Sequence, residues 1–157
     1  MNRVIFLSLL LAVSGFAASP ISKEPAPEIL GICLGMSKQD AHARLNKIGS
    51  LEKEERKRQE VWVVTDQRVS HLIVGFDGNL RVRYVTAIAR PGSPRIPYGE
   101  VGNLKAAQQK SNQGNYKFTW EVGARRGQPA YLIVARGRDP QYLDSYSVKK
   151  LDQEEHD

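Results

Sequence analysis

The chain has a single cysteine, Cys33, among 157 residues, so no internal disulfide can form and hydrophobic packing must hold the fold. Cys33 lies between Ile32 and Leu34 in an apolar run, where it reads as a small buried hydrophobe, with a catalytic or intermolecular thiol as the alternative. Histidine is also scarce. His42, His71 and His156 stand far apart with no acid or cysteine at ligand spacing, so no metal-ligand set is expected and no cofactor is called for. Nucleophile elbow, phosphate loop and dinucleotide fingerprint are all missing, and Gly99-Glu-Val-Gly102 is only a glycine cluster ahead of a helix. The close carboxylate pairs, Glu54/Glu55 and Glu154/Glu155, sit in highly charged segments. No catalytic residue is assigned, and the expectation is a protein that is not an enzyme.

Long apolar runs are missing too. A membrane-spanning helix needs about 18 apolar residues, and the longest stretch, Val4 to Val13, is shorter. With Arg3 ahead of it and Gly15-Phe16-Ala17 behind it, this stretch has the parts of an export signal cleaved after Ala17. Cleavage after Ser19 would put Pro20 at the first mature position. A lipoprotein would need a cysteine at the cut, and Cys33 lies well beyond it. The expectation is export to the periplasm or the extracellular space, with about 140 residues left, enough for one ordinary domain.

Residues 18–28 hold three prolines and almost no large apolar side chain, which predicts a flexible leader. A single α+β domain is expected over 29–150. Ser37-Lys-Gln-Asp40 supplies an N-cap hydroxyl with an acid three residues on; Ala41, Leu45 and Ile48 form one helical stripe, and Gly49 suits a left-handed residue after it. His42 falls off that stripe and reads as solvated. Glu52 to Glu60 mixes both signs without an apolar residue, as a solvated connection or a short frayed helix would. Strands follow at 61–65, 69–76 and 80–89, the last two joined by a hairpin at Asp77-Gly-Asn79, which lacks the other oxygen ligands of a calcium loop. His71, alternating with Val69 and Ile73, reads as a packed or sheet-face residue. Arg90 to Pro97 is a proline-rich connector. A short helix is expected from Leu104 to about Lys110, capped by Asn103, and then strands at 116–122, 130–135 and 141–148. Residues 151–157 form an acidic tail.

Each half thus reads as a helix followed by three strands, about 29–89 and 98–150. Trp62 and Trp120 stand in the first strand, and Leu-Ile-Val stands in the second at 72–74 and 132–134. The predicted fold class is α+β: tandem helix-plus-three-strand repeats forming one antiparallel sheet with the helices on one face. Residues 31–49, with the Leu-Gly-Met-Ser core and closing Gly49, resemble the helix-opening segment of the exported small-domain superfamily of β-lactamase inhibitory proteins and SmpA/OmlA-type outer-membrane assembly lipoproteins. The resemblance implies a helix-backed sheet that binds other proteins, with no catalytic residues to carry over. The lipidated cysteine of the lipoprotein branch and the disulfides of the inhibitors have no counterpart here, so neither anchoring nor inhibition follows.

The net charge of +6 is spread among acids rather than collected in one block. It suits an anionic partner without specifying nucleic acid, acidic glycan or lipid surface. The sheet face away from the helices is the candidate working surface. Alternation places Arg81 and Arg83 on it, opposite Leu80, Val82 and Tyr84, while Arg125, Arg126, Arg136 and Arg138 project from hairpin ends. The row Tyr116/Phe118/Trp120 reads most simply as core, with an outward aromatic patch as the alternative. The leading expectation is a non-catalytic module that binds another exported protein; the alternative is a binder of an anionic polymer or surface through these arginines, and an unrecognised enzyme is third.

Overall fold

The computed structural model describes residues 26–55 and 58–151. The proposed export signal, most of the leader and the acidic tail lie outside the described residues. The chain opens with a two-stranded hairpin, β1 (Glu28–Ile29) and β2 (Ile32–Cys33), then α1 (Lys38–Ile48) and four strands: β3 (Gly49–Glu55), β4 (Gln59–Val64), β5 (Val69–Phe76) and β6 (Val82–Ala89). A short β7 (Ile96–Pro97) leads into the four-residue α2 (Tyr98–Val101) and a 3-10 turn at Leu104–Ala106. Then come β8 (Gln108–Asn112), β9 (Asn115–Val122), β10 (Tyr131–Gly137), β11 (Tyr142–Leu143) and β12 (Ser145–Lys150). Eight strands form one antiparallel sheet in the order β3-β4-β5-β6-β12-β10-β9-β8, while β11 pairs with β7 beside it.

This corrects the expected α+β repeat. Of the described residues 54% are strand and 15% helix, so the fold is mostly β, with one helix of any length. Each half contributes four strands to the sheet rather than three. The segment from Glu52 to Glu60, expected as a connection or frayed helix, supplies most of β3 and the start of β4. A charged edge strand with one open side keeps its ions in water, so it shows no apolar period. The expected helix from Leu104 to Lys110 is only the 3-10 turn. Asn103 does cap it, accepting from the Lys105 N–H at 3.0 Å, but the chain turns out at Ala107 to pair with β9. The Leu-Ile-Val match also fails. Trp62 stands opposite Leu72 whereas Trp120 stands opposite Ile133, so the two tripeptides present opposite faces.

The helix starts where the sequence says. Ser37 Oγ accepts from the Asp40 N–H at 3.1 Å, and Asp40 Oδ2 accepts from the Ser37 hydroxyl at 2.6 Å. Its end differs from expectation. Gly49 is extended (φ −176°) rather than left-handed and begins β3 directly; a Cβ there would strike the Val63 carbonyl of the neighbouring strand. The β1–β2 turn puts Leu30 (φ 49°) and Gly31 (φ 78°) both at positive φ, the geometry that matches strand twist in a two-residue hairpin.

One face of the sheet carries the core. Trp62, Leu72, Val74, Val85, Ile133, Phe118, Trp120 and Val148 point into it. Over the first half lie Ile29 and Ile32 of the hairpin with Ala41 and Leu45 of α1; Ile96, Tyr98 and Leu143 close the second half. Phe118 and Trp120 are buried and Tyr116 packs against them, so that row is core and not an outward aromatic patch. The Tyr98 ring lies 4.3 Å from that of Phe118, and burial, followed by the nearby charges of Asp144 and Asp139, pushes its hydroxyl up to about 12.

Candidate functional site

Directly opposed residues of antiparallel strands share a face, so the pairing register maps the uncovered side of the sheet. Its middle row runs Lys53, Val61, Ile73, Thr86, Ser147, Val134, Thr119, Gln108 from one edge to the other. On one side of it lies a row that includes Gln59, Gly75, Tyr84, Lys149 and Leu132; on the other, a row of Val63, His71, Ile88, Ser145, Arg136, Lys117 and Lys110. Most of the central side chains are half-buried by their neighbours alone. At the joint between the halves Thr86 and Ser147 meet hydroxyl to hydroxyl at 2.8 Å. Tyr84 lies across Gly75, whose absent side chain makes room for the ring, and its hydroxyl donates to Gln59 Oε1. Burial, then the Glu55 charge, raises the Tyr84 pKa.

The sequence-predicted arginines are dispersed. Two register shifts bulge the β5–β6 pair, and the extra residue at one of them is Arg83. It resets the alternation, so Val82 points into the core and Tyr84 to the open face, not both to one side as expected. Arg83 borders a shallow groove of about 280 Å³ on the open face with Tyr84, Thr86, Ser147 and Lys149. Arg81 lies outside β6 and pins the chain ahead of α1, donating to the Gly35 carbonyl at 3.0 Å. Arg125 and Arg126 sit in the β9–β10 turn. Arg136 and Arg138 lie at the other end of β10, and there they join Lys110, Lys117 and Tyr116 around a concavity of about 930 Å³.

That concavity is shaped by the 138–144 turn. Asp144 Oδ2 accepts from the Arg138 backbone N–H at 3.1 Å and from its Nε at 3.4 Å, and the Asp144 N–H donates to the Arg136 carbonyl at 2.7 Å. Asp139 accepts from the Gln141 and Tyr142 N–H groups at 2.8 and 3.2 Å and pairs with Arg95 at 2.8 Å. Sequence reasoning missed both lysines. Lys110 was assigned to a helix, and no local signal places Lys117 opposite Arg136, nineteen residues away.

A second missed cluster lies under α1. Glu60, only 1% exposed, points into the covered face. Lys38 Nζ approaches its Oε1 at 2.7 Å; His42 Nε2 lies 2.8 Å from its Oε2, which also accepts from Trp62 Nε1 at 3.0 Å. Burial alone would raise the Glu60 pKa, but hydrogen bonds from Lys38, Trp62 and His42 carry it below the usual carboxylate value. His42 therefore hydrogen-bonds a buried carboxylate and is not a solvated helix residue. Beginning the strand two residues earlier would have put Glu60 on the face of Trp62.

His71 lies on the open face as expected, its Nδ1 2.9 Å from Ser70 Oγ. Cys33 donates to Glu28 Oε2 at 3.1 Å; burial, then Glu28, raises its pKa, the opposite of what a nucleophilic thiolate needs. Among the described residues no group of three His, Cys, Asp or Glu side chains could hold a metal, and no helix is long and apolar enough to cross a membrane. The chain is thus a mostly β protein built on one half-covered antiparallel sheet. It matches no family model, no curated protein and no solved structure.

Proposed function

We propose that this chain is an exported, non-catalytic module that binds another exported protein through the open face of its sheet. The observation that carries this function is the middle row Val61, Ile73, Thr86, Ser147 and Val134, where half-exposed apolar and hydroxyl side chains cross five adjacent strands with no layer of described residues above them. Burying such a row is favourable by about 25 cal/mol per Å² of apolar surface, and the rigid ladder beneath it costs little ordering on association. Tyr84, Lys149 and Arg136 surround the row with polar groups, as in the rim of a protein interface. Export rests on the first seventeen residues, and the resemblance of residues 31–49 to a superfamily of protein-binding domains supports the same assignment.

A photoreactive amino acid placed at Val134, with a second variant carrying it at the exposed helix position Lys47, tests this in the native cells. One discrete protein adduct at Val134 that is missing at Lys47 is the expected result. Equal adducts at both positions, or none at Val134, would remove the open face as the binding surface.

A further inference from the structure

We propose that the concavity framed by Lys110, Lys117 and Arg136 is a binding site for an acidic carbohydrate. Its volume, about 930 Å³, falls in the range of ligand sites. Charge is the first argument. Lys110, Lys117 and Arg136 are consecutive cross-strand neighbours on β8, β9 and β10, and among the described residues their side chains form no ion pair. Several cations elsewhere are neutralised by acids, Arg68 by Glu100, Arg95 by Asp139 and Lys38 by Glu60, whereas these three stand side by side on one row. The one acid bordering the concavity, Asp144, is turned to Arg138. A concave wall of one sign concentrates an anion that a flat, neutralised surface would not.

Spacing is the second argument. Neighbouring strands lie about 4.8 Å apart, so the three cations repeat at roughly the length of one sugar unit in an extended chain. The rest of the lining separates carbohydrate from other polyanions. Asn112, Asn115 and Ser145, on the same face as the three cations, bring amide and hydroxyl groups suited to sugar hydroxyls, while the single aromatic on the border, Tyr116, packs against the core. A single-stranded nucleic acid would need aromatics for successive bases. The walls are held in place before any ligand arrives, because Asp144 and Asp139 tie the 138–144 turn to backbone N–H groups.

Titration calorimetry of the purified chain against polygalacturonate, with heparin as the sulfated counterpart, decides the matter. Binding to either is expected, and the stronger of the two assigns the acid group as carboxylate or sulfate. Neutral dextran should not bind. Lys117→Ala/Arg136→Ala should weaken binding at least about tenfold, and Lys110→Ala alone should weaken it less. Arg125→Ala/Arg126→Ala removes the same charge from the β9–β10 turn and should leave binding nearly unchanged, with thermal melts confirming that all variants fold. No binding to either acidic polysaccharide, equal weakening by the two double variants, or tighter binding of polyglutamate or oligothymidylate would overturn the proposal. The assay contains no protein partner, so its failure leaves the open-face function standing.

Discussion

The Lys38 ammonium lies 2.7 Å from the carboxylate of Glu60, a residue almost fully removed from solvent on the covered face of the sheet. The carboxylate thereby joins α1 to β4. Glu60→Ala should cost about 2–4 kcal/mol, because it leaves the buried Trp62 N–H without its acceptor and removes the partner of two basic side chains. Glu60→Gln, which keeps an oxygen for the indole, should cost less. Urea unfolding followed by tryptophan fluorescence gives both values.

The same group makes stability depend on acid. Its folded pKa lies below the unfolded carboxylate value of about 4.3, so the unfolded chain binds the proton more readily. The ion pair's contribution is therefore fully present above that pH and is lost as pH falls through the lower, folded value. Asp77, held low chiefly by backbone N–H donation from Arg81, adds a loss of the same sign. Glu60→Gln should flatten the dependence of the urea midpoint on pH below about 4.3 without abolishing it. An unchanged slope would show that the Glu60 pKa is not displaced.

Gly75 and Tyr84 provide a test of the open face. Gly75→Ala places a methyl group in the space occupied by the Tyr84 ring and should destabilise by about 1–3 kcal/mol. In a Tyr84→Ala background the same change should cost much less, since the obstacle is gone. Additive losses in the double-mutant cycle would mean that the ring does not lie over the glycine.

Arg90 is a backbone clamp that no local pattern announces. Its Nη2 donates to the carbonyls of Val64 and Val69 at 2.8 and 3.1 Å, and its Nε donates to that of Asp66 at 3.2 Å. Arg90→Ala should cost about 1.5–3 kcal/mol through stranded carbonyls. Arg90→Lys should restore only part of this, because an ammonium cannot reproduce the planar fork. Hydrogen exchange at the β4–β5 turn is the local readout: amides there should exchange faster in both variants.

What was legible in the sequence was what is locally encoded. The Ser37/Asp40 cap, the Asp77-Gly-Asn79 hairpin and the alternating strands around Trp62 and Trp120 involve contacts within a few residues, and the structure has them. The edge strands β3 and β8 were not, because polar residues with solvent on both sides impose no period. Glu60 was hidden for a related reason: Lys38 and His42 meet it only after α1 has folded over the sheet. At the candidate carbohydrate site Arg136 and Arg138 were legible as exposed charge, but Lys110 and Lys117 depend on strand register, which a single sequence does not state. Bulges defeated simple alternation at Arg83.

The strand order also sets a schedule for synthesis. The first four strands can zip up in the order in which they are made, but β6 finds its second neighbour only when β12 arrives, after β8, β9 and β10 have already been laid down from the far edge. Until residues 145–150 are available, β6 and β10 each have an unsatisfied ladder, and the apolar side chains flanking the gap have only one neighbour. A chain whose strands pair in order of synthesis passes through two half-sheets with unpaired inner margins, a stage open to pairing with other copies until β12 closes the gap.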